Sequence, residues 1–135
     1  MLEENCIFCK IARGDIPSAT LYEDEEFRVI LDLGPASKGH ALVIPKIHAA
    51  NLFELPDETA AKALVIAKKV AAQLKEGLQA DGLNVVQNNG AAAGQTVDHF
   101  HIHLIPRYEN DTVNVKWVPG TLSEADKEDI LKLFR

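Results

Sequence analysis

At 135 residues, with 47% hydrophobic and 25% charged side chains, the chain can bury one ordinary core and reads as a single domain over residues 1–135. A net charge of −6 argues against nucleic-acid or anionic-membrane partners, which need a basic surface. No apolar run approaches the ~20 residues that span a bilayer, and the acidic start Met1-Leu2-Glu3-Glu4-Asn5 is unlike a signal peptide, which predicts a cytoplasmic protein.

Cys6 to Arg13 reads as a short helix or turn stopped by Gly14. Leu21 to Glu23 suits a short strand. Phe27 to Asp32 is rich in strand formers and is broken by Leu33-Gly34-Pro35. His40 to Pro45 is a further apolar strand closed by its proline. Pro56-Asp57-Glu58 opens a long helix, with acidic residues in the turn where the dipole favours them. Leu64, Ala67, Ala71, Leu74 and Leu78 recur through it at helical spacing, and Gly77 to Gly82 should end it. Leu83 to Gln87 and Val97 to Ile105 read as strands, joined by the Gly/Ala-rich loop Asn88 to Gln95. Ser123-Glu124-Ala125-Asp126 resembles a capping box for a last helix reaching Leu133. The order predicts an α+β fold: an antiparallel sheet of about five strands, one long helix and a C-terminal helix.

The run His99-Phe100-His101-Ile102-His103-Leu104-Ile105 is the most informative segment. A strand sends alternate side chains to opposite faces, with a rise of ~3.3 Å per residue. His99, His101 and His103 therefore share one face, and Phe100, Ile102 and Leu104 anchor the other. Three imidazoles in register offer ligands, nucleophiles or proton carriers near neutral pH. Cys6 and Cys9 form a Cys-x2-Cys pair, which outside an oxidising compartment points to metal or redox chemistry. No thioredoxin-like context accompanies the pair. Tetrahedral zinc would need two more ligands, and His40, His48, His99, His101 and His103 are the candidates.

These residues resemble the histidine triad (HIT) family, whose motif is His-x-His-x-His followed by two apolar residues. The resemblance runs from about Cys6 to Arg107. It includes Cys6-Ile7-Phe8-Cys9-Lys10-Ile11, the segment Gly39 to His48, and Asn88-Asn89-Gly90 through Gly94-Gln95-Thr96. It implies a HIT-like fold, commonly dimeric, acting on the α-phosphorus of a nucleoside phosphoramidate or a (di)nucleoside polyphosphate. His101 would be the nucleophile, its other ring nitrogen held by a backbone carbonyl on the neighbouring strand. His103 would contact phosphate and assist the leaving group, with His40 in support. Asp32 would accept both ribose hydroxyls, while Leu33, Ile7, Phe8 and Ile11 would enclose a base, a purine by preference. Asn88, Gly94, Gln95 and Thr96 would hold phosphate or sugar, Gln95 and Thr96 as side-chain donors. The resemblance also implies a structural zinc on Cys6, Cys9, His48 and His99.

Two other functions fit the same residues. One is a metallohydrolase with zinc in the triad itself, which needs an activated water and a carboxylate nearby; Asp98 points away from His99. The other is a nucleotide-binding regulator or adaptor in which turnover is incidental.

Overall fold

The computed structural model describes residues 3–135. Five antiparallel strands form one sheet in the order β1-β2-β3-β5-β4. They are β1 (Thr20–Glu23), β2 (Phe27–Leu31), β3 (Ala41–Pro45), β4 (Gly82–Val86) and β5 (Ile102–Arg107). Helices α1 (Ile7–Arg13), α2 (Asp57–Gly77) and α3 (Glu124–Lys132) complete the order, with a 3₁₀ turn at Ala91–Ala93. Among the described residues no helix is long and apolar enough to cross a membrane.

Strand alternation divides the core in two. Phe27, Val29, Ala41, Val43, Phe100, Ile102 and Leu104 point to one face, where Ala63, Ile66, Ala67 and Val70 of α2 cover them. Ile30, Leu42 and Ile44 point to the other face and meet Phe8 and Ile11 of α1. The histidines lie on this second side. The buried stripe of α2 departs from the expected one: Leu64 is 61% exposed, whereas Ala63 is fully buried. Small residues at Ala63 and Ala67 let the helix lie close to the sheet, leaving the bulkier Leu64 outside. Leu74 and Ala71 are only partly buried against the core.

The triad strand also differs from expectation. Pairing between β3 and β5 stops at Val43 opposite Ile102, so residues 97–101 are irregular rather than strand. Pro45 closes β3; proline has no N–H to offer a ladder, and its carbonyl is taken by the His99 ring at 2.8 Å. The Phe100 N–H bonds the Ala49 carbonyl at 2.7 Å instead. Alternation survives this irregularity, because Phe100 still joins Ile102 and Leu104 in the α2-facing core.

Two local devices set up the site. The thiol of Cys6 caps α1 by accepting the Cys9 N–H at 3.4 Å. Gly39 sits at φ 93°, a left-handed conformation that glycine adopts without strain, and it delivers His40 to the head of β3. At the far end, Ser123 caps α3 by accepting the Asp126 N–H at 3.1 Å, as the sequence suggests.

Candidate active site

Beside α1 and the second sheet face lies a cleft of about 370 Å³, within the size range of small-molecule sites. Its walls are apolar: Ile7, Phe8, Ile11, Ile16, Ile30, Leu33, Leu42 and Val97 contribute. The polar groups on it are Asp32, Ser18, Thr96, His101 and His103.

Hydrogen-bond partners dictate the protonation of each ring. His101 Nδ1 lies 2.7 Å from the His99 carbonyl. A carbonyl only accepts, so Nδ1 carries the hydrogen and, in the neutral ring, Nε2 keeps its lone pair. The acceptor is two residues back on the same segment rather than on the neighbouring strand, because the chain bends before β5 begins. His40 is oriented the opposite way. The Ala36 N–H donates to its Nδ1 at 2.9 Å, so Nε2 carries the hydrogen. That Nε2 lies 2.9 Å from His103 Nδ1 and 3.6 Å from Asp32 Oδ2. His103 therefore accepts at Nδ1 and holds its own hydrogen on Nε2.

Burial keeps these rings neutral. It pushes His103 down to about 4, with His101 and His40 nearby adding to the effect. It also lowers His101 and His40, while Asp32 pulls both partly back. A lone pair on His101 is thus present throughout the neutral range.

A bent triad of this geometry, facing an apolar cleft, carries the decisive comparison. The HIT domain family model matches residues 13–110. The chain belongs to the HIT family. It is 50% identical over 123 residues to adenosine 5'-monophosphoramidase hnt1 of Schizosaccharomyces pombe, covering 90% of each protein. The crystal structure of SMU.412c from Streptococcus mutans UA159 matches with a TM-score of 0.91 at 42% identity, covering 98% of this chain and 87% of that one. A Zn-bound histidine triad family protein from Mycobacterium smegmatis matches with a TM-score of 0.78 at 44% identity, covering 86% of this chain and 84% of that one.

In this HIT chain the first triad histidine stands apart from the other two. His99 Nδ1 faces Cys6 Sγ at 3.3 Å and Cys9 Sγ at 3.5 Å, and His48 Nδ1 faces Cys9 Sγ at 3.4 Å. The four ligand atoms lie within 4.8 Å of one another, a cluster that could hold a metal ion. The far nitrogens suit that use. His99 Nε2 is held by the Pro45 carbonyl, and His48 Nε2 lies 3.7 Å from Glu3 Oε2. The His99 far nitrogen donates to a carbonyl, so its near lone pair is free for a cation, and the His48 far nitrogen points toward a carboxylate. Two thiols and two imidazoles suit zinc. Burial raises the Cys9 thiol, and a cation would reverse that by favouring the thiolate.

The remaining expected residues divide between cleft and surroundings. Ile7, Phe8, Ile11, Asp32, Leu33 and Thr96 line the cleft with His101 and His103, and His40 backs His103. Phe8 does more than line it: its ring meets His101 edge-on at 4.9 Å. Asn88, Gly94 and Gln95 are not among the lining residues. Gly94 turns at φ 100°, beside the Asn88 amide. The Gln95 side chain departs from its expected role as a phosphate donor. Its Nε2 donates to the Ala50 and Val97 carbonyls, and its Oε1 accepts the Gly90 N–H. With both donors committed, Gln95 clips the loop closed. Sequence reasoning missed the Pro45 carbonyl, the Ala36 N–H and Glu3. Backbone groups leave no residue-type signal, and a glutamate near a chain start is unremarkable.

Proposed function

We propose that the chain is a hydrolase that releases a nucleoside monophosphate from an amine or another leaving group bonded to the α-phosphorus. The observation that carries this reading is the His101 ring: it is buried, lines the cleft, and is held with a free Nε2 lone pair by the His99 carbonyl. That nitrogen attacks phosphorus and expels the leaving group, forming a nucleotidyl-histidine. Water then breaks the phosphorus–nitrogen bond and frees His101, splitting one hard step into two. His103, its hydrogen on Nε2, hydrogen-bonds a phosphoryl oxygen and supports protonation of the leaving group. His40 holds His103 in that tautomer. Asp32, at the cleft edge, accepts the ribose hydroxyls, and Ile7, Phe8, Ile11 and Leu33 enclose a base, with a purine preference. Thr96 offers a hydroxyl to the phosphate.

Similarity to a protein named adenosine 5'-monophosphoramidase supports phosphoramidates over dinucleoside polyphosphates as substrates. Zinc on Cys6, Cys9, His48 and His99 fits a structural role, since four protein ligands leave no open position for water. The metallohydrolase alternative fits less well: His99 Nδ1 faces the cysteines and its Nε2 the Pro45 carbonyl, so His99 has no nitrogen left to share a metal with His101 and His103. Exposed Trp117, Val118, Leu133 and Phe134 support a homodimer that covers part of this apolar surface.

The test is a substrate panel with purified protein: adenosine 5'-phosphoramidate, a diadenosine polyphosphate and a simple phosphate ester. The phosphoramidate should be hydrolysed fastest and the ester not at all. An acid-labile, base-stable nucleotide adduct should be trapped on the wild type. Equal rates on all three, or no adduct, would overturn the reading.

A further inference from the structure

We propose that the Cys6, Cys9, His48 and His99 cluster positions the nucleophile, so that metal loading governs the chemical step more than nucleotide affinity. The inference rests on the hydrolase reading above. Two separate connections carry it.

The first runs through a single residue. The His99 ring belongs to the cluster, and the His99 carbonyl accepts the Nδ1–H of His101 at 2.7 Å. The ring is held on one side by the Pro45 carbonyl. On the other side its Nδ1 faces the two sulfurs, at 3.3 and 3.5 Å. A thiol is a weak hydrogen-bond donor, whereas a coordinate bond at Nδ1 would hold the ring from both sides. His99 lies outside β5, so its carbonyl is fixed by no ladder of strand bonds but by the ring and by the single Phe100 N–H bond to Ala49 in the same peptide unit. If the carbonyl shifts, His101 loses the acceptor that keeps its hydrogen on Nδ1. The alternative tautomer puts that hydrogen on Nε2 and removes the attacking lone pair.

The second connection runs through α1. Cys6 caps this helix and Cys9 lies within it. Between them, Phe8 presses edge-on against His101 at 4.9 Å and against His99 at 6.0 Å. Whatever holds the two sulfurs therefore holds the wall against which the nucleophile rests. Asp32 and Leu33 have no such tie to the cluster; they hang from the end of β2. Nucleotide contacts on that side should survive its loosening.

The experiment compares wild-type protein carrying one equivalent of Zn²⁺, the same protein stripped with a chelator, and stripped protein reloaded with Zn²⁺. Cys9→Ser serves as a fourth sample. Four quantities are read: bound zinc, AMP affinity by titration, the single-turnover rate on adenosine 5'-phosphoramidate, and the His101 tautomer from ring-nitrogen NMR. Misplaced or unsupported catalytic groups cost on the order of 10- to 100-fold. Stripping should therefore slow the single turnover about tenfold or more, while AMP affinity falls by less than the rate, because Ile7, Phe8 and Ile11 sit on α1 but Asp32 and Leu33 do not. His101 should pass from one Nδ1–H tautomer to a mixture, and reloading should restore both readings. Failure to take up Zn²⁺, an unchanged rate and tautomer on stripping, or AMP affinity falling in step with the rate would each overturn the proposal. A loaded protein that binds AMP without turnover defeats the hydrolase reading alone. The tautomer then still decides whether the cluster positions His101.

Discussion

Two clusters of metal-capable side chains lie within a few residues of each other in this chain, and their second nitrogens separate them. Cys6, Cys9, His48 and His99 form one; Asp32, His40 and His103 form the other, equally compact within 4.8 Å. In the first, the His99 nitrogen turned away from the cluster donates to a carbonyl, so its inward lone pair is free, and the His48 one points toward a carboxylate. In the second, His40 already spends its outward lone pair on the Ala36 N–H. Its inward nitrogen must carry a hydrogen and cannot bind a cation without setting one donor against another. Proximity and residue type are alike in the two places. Orientation of the far nitrogen makes one suited to a metal and the other to passing a hydrogen bond toward substrate.

The largest expected effect breaks the hydrogen-bonded side. His101→Ala should lower turnover of adenosine 5'-phosphoramidate at least about 10³-fold while leaving AMP affinity within about tenfold, because the remaining cleft supplies binding. Steady-state kinetics with a parallel AMP titration checks this; turnover near the wild-type rate would remove His101 from its role.

Next comes metal content, which tests the comparison directly. Cys9→Ser should lose bound zinc and about 10 °C or more of melting temperature. His40→Gln should keep the wild-type zinc stoichiometry. Elemental analysis of protein purified without chelator, with thermal melts, reads both. Zinc lost from the His40 variant would show that the second cluster is a metal site after all.

The acid side of the pH profile sharpens the claim that the rings are neutral. Folded His103 titrates at about 4, and His101 also lies below its ordinary range. Protonation of His101 removes the lone pair, so kcat/KM should fall only as pH drops below the ordinary histidine range, ~6.5. Stability follows the same sign. The unfolded chain takes up protons near pH 6.5 while folded His103 does not until about 4, so stability present above 6.5 declines as pH falls through that window. A rate profile whose acid limb is centred at or above 6.5 would contradict the burial argument.

The smallest effect concerns the cleft rim. A polar group left without its partner costs ~1–3 kcal/mol, so a 2′-deoxy nucleotide should bind roughly 10-fold more weakly than the ribonucleotide. Asp32→Ala should erase most of that difference in paired titrations.

Periodicity and residue type made much of this legible. Alternation across His99 to Leu104 placed histidines and apolar anchors on opposite faces, and it did so even where the backbone leaves the strand. The Cys-x2-Cys spacing pointed to the residues that gather with His48 and His99. Other features lie in groups that carry no sequence signature: the Pro45 and His99 carbonyls, and the Ala36 N–H that fixes the His40 tautomer. Gln95 departs from expectation for a related reason. Its type announces a donor, but only the folded loop shows that the Ala50 and Val97 carbonyls consume it. On α2, periodicity located the helix and missed its buried stripe, because tight packing favours Ala63 over the larger Leu64.

Helix α1 has only seven residues, too few to persist alone in water. It depends on partners supplied later along the chain: Ile30, Leu42 and Ile44 for its apolar face, and His99, which follows Cys9 by 90 residues, for its thiols. At a synthesis rate of roughly 5–20 residues per second, that interval lasts on the order of 5–20 s. The apolar face of α1 can thus be covered well before its thiols are, and the two thiols wait in the growing chain until the triad has been translated.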